Sequence, residues 1–175
     1  MNKEPVQVED ETIDHLLSAC LVGAICIAVV VTVFVIWAPK ENEHYTDFFV
    51  LSENGTADNY PYQIIPGQAY PIFIGVGNHE SENTTYIIET WEMTTEFDDA
   101  TNTTRIIAMD PGDMISRTLA NNETSIIPYN LKITNAKYNR VEFLLFKDTV
   151  PGSGIIGFDR INSSYQNLYL LVSAN

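Results

Sequence analysis

Between Leu16 and Trp37 the chain runs for 22 residues without a charged side chain, and its only polar members are Ser18 and Thr32. At about 1.5 Å of rise per residue, a helix over this run matches the roughly 30 Å hydrocarbon thickness of a bilayer. A core helix of a water-soluble protein would carry a polar stripe, and this run has none. It is rich in Val and Ile (Val29, Val30, Val31, Val33, Val35, Ile36), which disfavour helix in water. In lipid the backbone must satisfy its own hydrogen bonds, so the helix forms regardless. Trp37 stands where an interfacial aromatic belongs, and Pro39 ends the helix.

A cleaved leader would need a basic start, an apolar stretch of about 7–15 residues and a small-residue cut site. Here Glu4, Glu9, Asp10, Glu11 and Asp14 face only Lys3, and Pro39 would follow any cut after Ala38. A retained anchor is the expectation. Leu17-Ser18-Ala19-Cys20 spells a lipobox at the start of the run, whereas a processing site belongs at its end. The expected division is an acidic cytoplasmic tail (1–15), a transmembrane helix (16–37), a juxtamembrane linker (38–43) and an extracytoplasmic domain (44–175).

Charge narrows the partners. The chain holds 9 Lys+Arg against 23 Asp+Glu, a net −14. Phosphate backbones and anionic lipid headgroups both need clustered cations, so nucleic acid and electrostatic docking on lipid are excluded as partners. Lys3 and Lys40 flank the run on opposite sides, and that hardly decides orientation. The sequons say more. Asn54, Asn83, Asn102, Asn122 and Asn162 each open an N-x-[ST] triplet. With 15 Asn and 25 Ser+Thr in 175 residues, chance supplies about two such triplets. These five are candidate N-glycosylation sites, and they favour a cytoplasmic N-terminus with the large domain outside the plasma membrane.

Beyond Lys40 the helical period disappears. Apolar runs recur at 48–51, 70–76, 86–93, 105–109, 125–129, 141–147 and 168–172, separated by turn residues such as Asn54-Gly55, Pro66-Gly67, Asp98-Asp99 and Pro111-Gly112. Tyr70, Ile72, Ile74 and Val76 alternate onto one face, as do Val141, Phe143 and Leu145. This is the signature of an all-β sandwich. Core packing accounts for strand aromatics such as Phe73, Tyr86, Trp91, Phe143 and Phe146.

Phe48-Phe49-Val50-Leu51, Asn54-Gly55-Thr56-Ala57 and Asp58-Asn59-Tyr60-Pro61 look like the start of the archaeal DUF1616 ectodomain. The Pro66-Gly67 turn, Ile72 to Val76, Asn78-His79-Glu80, Tyr86 to Trp91, Val141 to Lys147 and Leu168 to Val172 follow in order. The likeness spans about residues 44–173. It implies an Ig-like sandwich in an archaeal envelope and no catalytic residues. Many members look as though several membrane helices precede this domain, where this chain has one.

Chemistry is sparse. The histidines His15, His44 and His79 make no H-x-x-x-H pattern, and Cys20 and Cys26 both lie in the apolar run, so no zinc or thiol site is expected in the domain. Glu96, Asp98 and Asp99 could hold a weak calcium ion but lack the EF-hand spacing, and a solvated turn is the simpler reading. There is no G-x-S-x-G, and Gly152-Ser153-Gly154 lacks its flanks. Gly75 and Gly77 end a strand without forming a dinucleotide loop, and His79 is expected in a turn. No cofactor, metal or enzymatic activity is expected. The expected role is a single-pass envelope glycoprotein whose Ig-like module binds an envelope protein or glycan, or serves structurally. A pilin-like filament subunit and an envelope hydrolase are the alternatives. Asp14-His15 is a poor pilin processing site, and a hydrolase would depend on His44 or His79.

Overall fold

The computed structural model describes residues 8–37 and 44–174, in two compact units that divide after residue 42. The linker at 38–43, residues 1–7 of the acidic tail and Asn175 lie outside the described residues. Helix α1 covers Val8–Trp37. Its stretch Ile13–Trp37 is long and apolar enough to cross a membrane, with every side chain in it exposed.

The second unit is a β-sandwich. Its strands are β1 (Tyr45–Leu51), β2 (Gln63–Ile64), β3 (Tyr70–His79), β4 (Thr84–Asp98), β5 (Thr103–Leu119), β6 (Thr124–Leu131), β7 (Arg140–Lys147), β8 (Gln166–Leu171) and β9 (Ser173–Ala174). A short helix α2 (Phe158–Asn162) interrupts the connection from β7 to β8. One sheet has the order β1-β3-β6 and the other β5-β4-β7-β8, all antiparallel. The chain changes sheet between β3 and β4, β5 and β6, and β6 and β7. That Greek-key order, with two edge-matched layers, is the Ig-like arrangement. The short parallel pair β2–β9 is a separate ladder, and its Ile64 is buried in the core between the two sheets.

Alternation builds the core. Val50, Ile72, Ile74, Val76, Ile127 and Leu131 from the first sheet meet Tyr86, Ile88, Val141, Phe143 and Leu145 from the second. Each is buried, and each large aliphatic or aromatic side chain removed from water stabilises by about 1.5–3 kcal/mol. Tyr86 reaches the far side of this layer, where its hydroxyl bonds Thr46 Oγ1 at 2.8 Å and donates to Asn78 Oδ1 at 3.1 Å. At the same end Glu80 accepts from Thr46 (2.7 Å) and Lys147, which ties β1, β3 and β7 together.

All seven apolar runs are strands, and Asp98 ends β4 before the turn expected there. Two local readings need correction. Pro111-Gly112 is not a turn: β5 runs through it. The register against β4 shifts between Glu89 and Trp91 and between Thr94 and Thr95, so each shift places an extra residue on β5. Pro111 is tolerated because β5 is an edge strand, where a missing N–H costs no ladder bond. Gly112 is needed because a Cβ there would sit 2.6 Å from Thr90 Oγ1, whose hydroxyl accepts from the Asp113 N–H at 2.7 Å. His79, expected in a turn, is the last residue of β3 and lies 3.2 Å from the Asp47 carboxylate on β1.

Candidate functional site

The outer face of the four-stranded sheet carries a second apolar layer. Trp91 and Met93 of β4 and Leu144 and Phe146 of β7 are buried there, with Met109, Val150 and Ile161 against them. The cover comes from the connection between β7 and β8, residues 148–165, folded back over the sheet. Glu89 of β4 points into this layer because the period-2 alternation that sends Ile88 to the core sends Glu89 outward.

Arg160 of α2 meets it. Nη2 donates to Glu89 Oε1 at 2.6 Å and Nε donates to Oε2 at 2.9 Å. Trp91 Nε1 donates to the same carboxylate at 3.0 Å. Nη1 donates to the carbonyls of Pro151, Gly152 and Ile155 at 3.2, 2.9 and 3.2 Å. Both charged side chains are about 5% exposed. Desolvating two ions is expensive, and only this complete set of partners makes the burial tolerable. The pair therefore pins the connection to the sheet at one point. Gly157, at φ 66, turns the chain into α2, and its N–H lies 3.2 Å from Met109 Sδ.

The pinned connection leaves a groove beside β5. A cleft of about 310 Å³ is lined by Trp91, Met109, Pro111, Met114 and Ile156, with the Glu89–Arg160 pair as its floor. A second cleft of about 410 Å³ continues along β5 from Arg105 to Met109 and is walled by Ile156, Gly157 and Phe158. Ile156 borders both. Around them Ile107, Met114, Ile155, Ile156 and Phe158 are 41–61% exposed. So the groove combines an unpaired strand edge with an exposed apolar rim.

The β5 bulge forms one end of the groove. Asp113 accepts from the Tyr129 hydroxyl at 3.0 Å, and that hydroxyl also lies 3.2 Å from Thr90 Oγ1. Burial, chiefly, pushes the Tyr129 phenol up to about 12. On the other flank Asp110 accepts from Tyr138 and Lys137. The Tyr138 hydrogen bond holds the Asp110 carboxyl below its ordinary value.

The sequon residues Asn54, Asn83, Asn102, Asn122 and Asn162 are all exposed and spread over five separate connections. Asn102 caps the long β4–β5 hairpin at φ 52, a conformation that Asn tolerates in turns. Asn122 Oδ1 lies 3.1 Å from His79 Nδ1. Asp98 accepts from the Ala100 N–H at 3.0 Å, and the hydrogen bonds from Ala100 and Thr101 hold its carboxyl low. Glu96, Asp98 and Asp99 thus sit at a hairpin end, and among the described residues no three His, Cys, Asp or Glu side chains converge as a metal site. His44 reaches the Glu80 carbonyl at 2.8 Å instead. Neither Glu89 nor Arg160 stands out in the sequence. The only signal is two acids, Glu89 and Glu92, inside the apolar run Tyr86 to Met93, and a lone Arg amid residues without other cations.

Fold and site define an Ig-like β-sandwich module carried by a chain with one apolar N-terminal helix. The chain belongs to the DUF1616 family, a domain of unknown function whose family model matches residues 39–173. No curated protein matches it. Among solved structures it is similar to the CARDB domain of a Pyrococcus furiosus protein in complex with di-metal ions, at 10% identity and a TM-score of 0.42, over 75% of this chain and 89% of that one. It is similar to a Listeria innocua β-glucosidase in complex with laminaribiose at 8% identity and a TM-score of 0.44, where the match spans only 16% of the glucosidase. It is also similar to a Bacillus subtilis sporulation control protein at 11% identity and a TM-score of 0.37, over 49% of that chain.

Proposed function

We propose that this protein is a single-pass, membrane-anchored envelope module that binds, without catalysis, an extended apolar segment of another envelope protein. The observation that carries the reading is the β5 groove: an edge strand beside a connection pinned by Glu89 and Arg160, rimmed by Ile107, Met114, Ile156 and Phe158. Edge strands recruit extended segments through backbone hydrogen bonds, and pockets beside them select side chains. Rigid loops on a sandwich are the usual place for recognition. The carboxylate at the groove floor is committed to Arg160 and Trp91, which supports binding over acid–base chemistry.

In this reading α1 is the anchor, the N-terminus is cytoplasmic, and residues 44–175 stand outside the plasma membrane with glycans on the five sequons. The net −10 of residues 38–175, from 8 basic and 18 acidic side chains, keeps that surface soluble. The test is protease added to intact cells expressing the full chain. Removal of residues 44–175 is expected, and their survival in intact cells with loss only after lysis would overturn the orientation.

A further inference from the structure

Three glutamates of the four-stranded sheet are buried: Glu89, Glu92 and Glu142. Two of them have a cation, and both of their oxygens are occupied. Glu89 is held by Arg160 and Trp91. Glu142 accepts from Arg140 Nε at 2.6 Å and from Asn167 Nδ2 at 2.8 Å. Glu92 is the exception. It is 7% exposed, and its Oε2 accepts from the Thr134 N–H at 2.8 Å and the Thr134 hydroxyl at 2.7 Å. Among the described residues Oε1 accepts no hydrogen bond, and no Lys, Arg or His pairs with this carboxylate. No enclosed side-chain oxygen among them lacks a partner, so Oε1 is open to the space beside it. A buried acid without a counter-charge is costly, and a cation brought to it from outside relieves that cost.

That space is a cavity of about 250 Å³ at the β5 edge of the sandwich. Glu92, Thr90 and Asp113 give it polar walls, and Pro111, Tyr129 and Val141 give it apolar ones. Asp113 also has no cation beside it. Burial first, and then the Asp113 and Glu92 charges, raise the Tyr129 phenol. Lys132 stands exposed at the rim and makes no ion pair among the described residues. The way in runs over Gly112, whose missing side chain would point at Thr90.

We propose that this pocket receives a lysine or arginine side chain of the segment bound at β5, so that the partner carries a basic residue directly beside an apolar one. This deepens the groove reading above and rests on it. Alternation sets the spacing. Glu89 and Trp91 line the cleft on the outer face of the sheet, whereas Thr90 and Glu92 line this pocket on the inner face. Successive residues of a strand added to β5 point to opposite faces, so neighbours enter the two sites. Size and length select the side chain. The cavity is smaller than the roughly 300–1,000 Å³ of small-molecule sites. An added strand lies two strand spacings, roughly 10 Å, from β4, so only a long side chain reaches the Glu92 carboxylate. Its methylene stem lies along Pro111, Tyr129 and Val141, as the stems of Lys and Arg do on apolar surface. The net −14 of the chain steers a basic segment towards it.

The experiment pans the full chain in lipid nanodiscs, and its Glu92→Gln variant, with a phage library of short random segments. The best segment is then resynthesised with norleucine in place of its basic residue, which keeps the stem and removes the charge. Segments with Lys or Arg next to an apolar residue are expected from the parent, and norleucine is expected to weaken their binding more than tenfold. Glu92→Gln keeps an acceptor for Thr134 and should bind both versions alike. The norleucine comparison on the parent needs no variant, so it stands even where Glu92→Gln fails to fold. Basic segments that bind Glu92→Gln as tightly as the parent, or a norleucine version that binds the parent undiminished, overturn the pocket and leave the β5 groove standing. A library from which the parent enriches no segment overturns the groove reading and the pocket with it.

Discussion

Arg160 and Glu89 meet through two hydrogen bonds of 2.6 and 2.9 Å although they are 71 positions apart in the chain. The contact joins a short helix in a long connection to the middle of a central strand. Because the carboxylate is buried, its partner cannot be removed cheaply. Arg160→Met should destabilise the protein by about 3–5 kcal/mol, and Glu89→Leu combined with Arg160→Met should recover most of that loss. Denaturant unfolding of the detergent-solubilised chain measures both. Hydrogen exchange should show the amides of 152–157 losing protection in the single variant first, since Arg160 also holds the carbonyls of Pro151, Gly152 and Ile155.

Gly75 and Phe49 face each other in register across β1 and β3, and the Phe49 ring fills the space that a Cβ on Gly75 would take. Gly75→Ala should cost about 1–3 kcal/mol through overpacking. Phe49→Ala vacates the space, so the Gly75→Ala penalty should shrink in that background. A double-mutant cycle of thermal unfolding reads the coupling, and additive losses would mean the ring does not occupy the glycine gap.

Tyr129 gives an alkaline signature. Its folded-state value is raised to about 12, chiefly by burial, against an ordinary 10. The stabilisation is therefore complete below pH 10 and is lost as the pH climbs through about 12. Unfolding curves of the parent and of Tyr129→Phe should run parallel below pH 10 and converge above it. Absorbance titration at the tyrosinate band should lose a late-ionising phenol in the variant.

Glu80 gives the opposite signature. Burial raises its carboxyl, but hydrogen bonds from Lys147 and Thr46, the Lys147 charge and the Tyr165 hydroxyl outweigh that and leave it below the ordinary 4.5. Its contribution is present above that value and fades as pH falls through the lower folded one. Lys147→Met should therefore move the acid-unfolding midpoint upward, and a carboxyl-detected titration of Glu80 should shift the same way.

The strands were legible because burial on one face imposes a period of two, and Ile72, Ile74 and Val76 or Val141, Phe143 and Leu145 show it directly. The β5 bulge was not, because Pro111-Gly112 reads as a turn by local chemistry. Only the edge position of β5 and the Thr90 side chain make that pair part of a strand. The Glu89–Arg160 pair was invisible for a different reason. Nothing local tells an outward acid on a strand that a segment 71 positions away will bury it. The five sequon asparagines are read directly from the triplet, and the structure adds only that each is exposed.

The register of β1 on β3 has a mechanical consequence. Tyr45 pairs with His79 and Leu51 with Phe73, seven rungs in antiparallel order. In the anchored reading, tension enters the domain at Tyr45, and the part of it directed along the strand axis loads the β1–β3 ladder. It then strains all seven rungs at once, in shear, because none can open before its neighbours. A hairpin pulled from its open end would instead part rung by rung at much lower force. A module held to a membrane by one end and to a partner at the β5 groove would transmit a steady pull while keeping its layers closed.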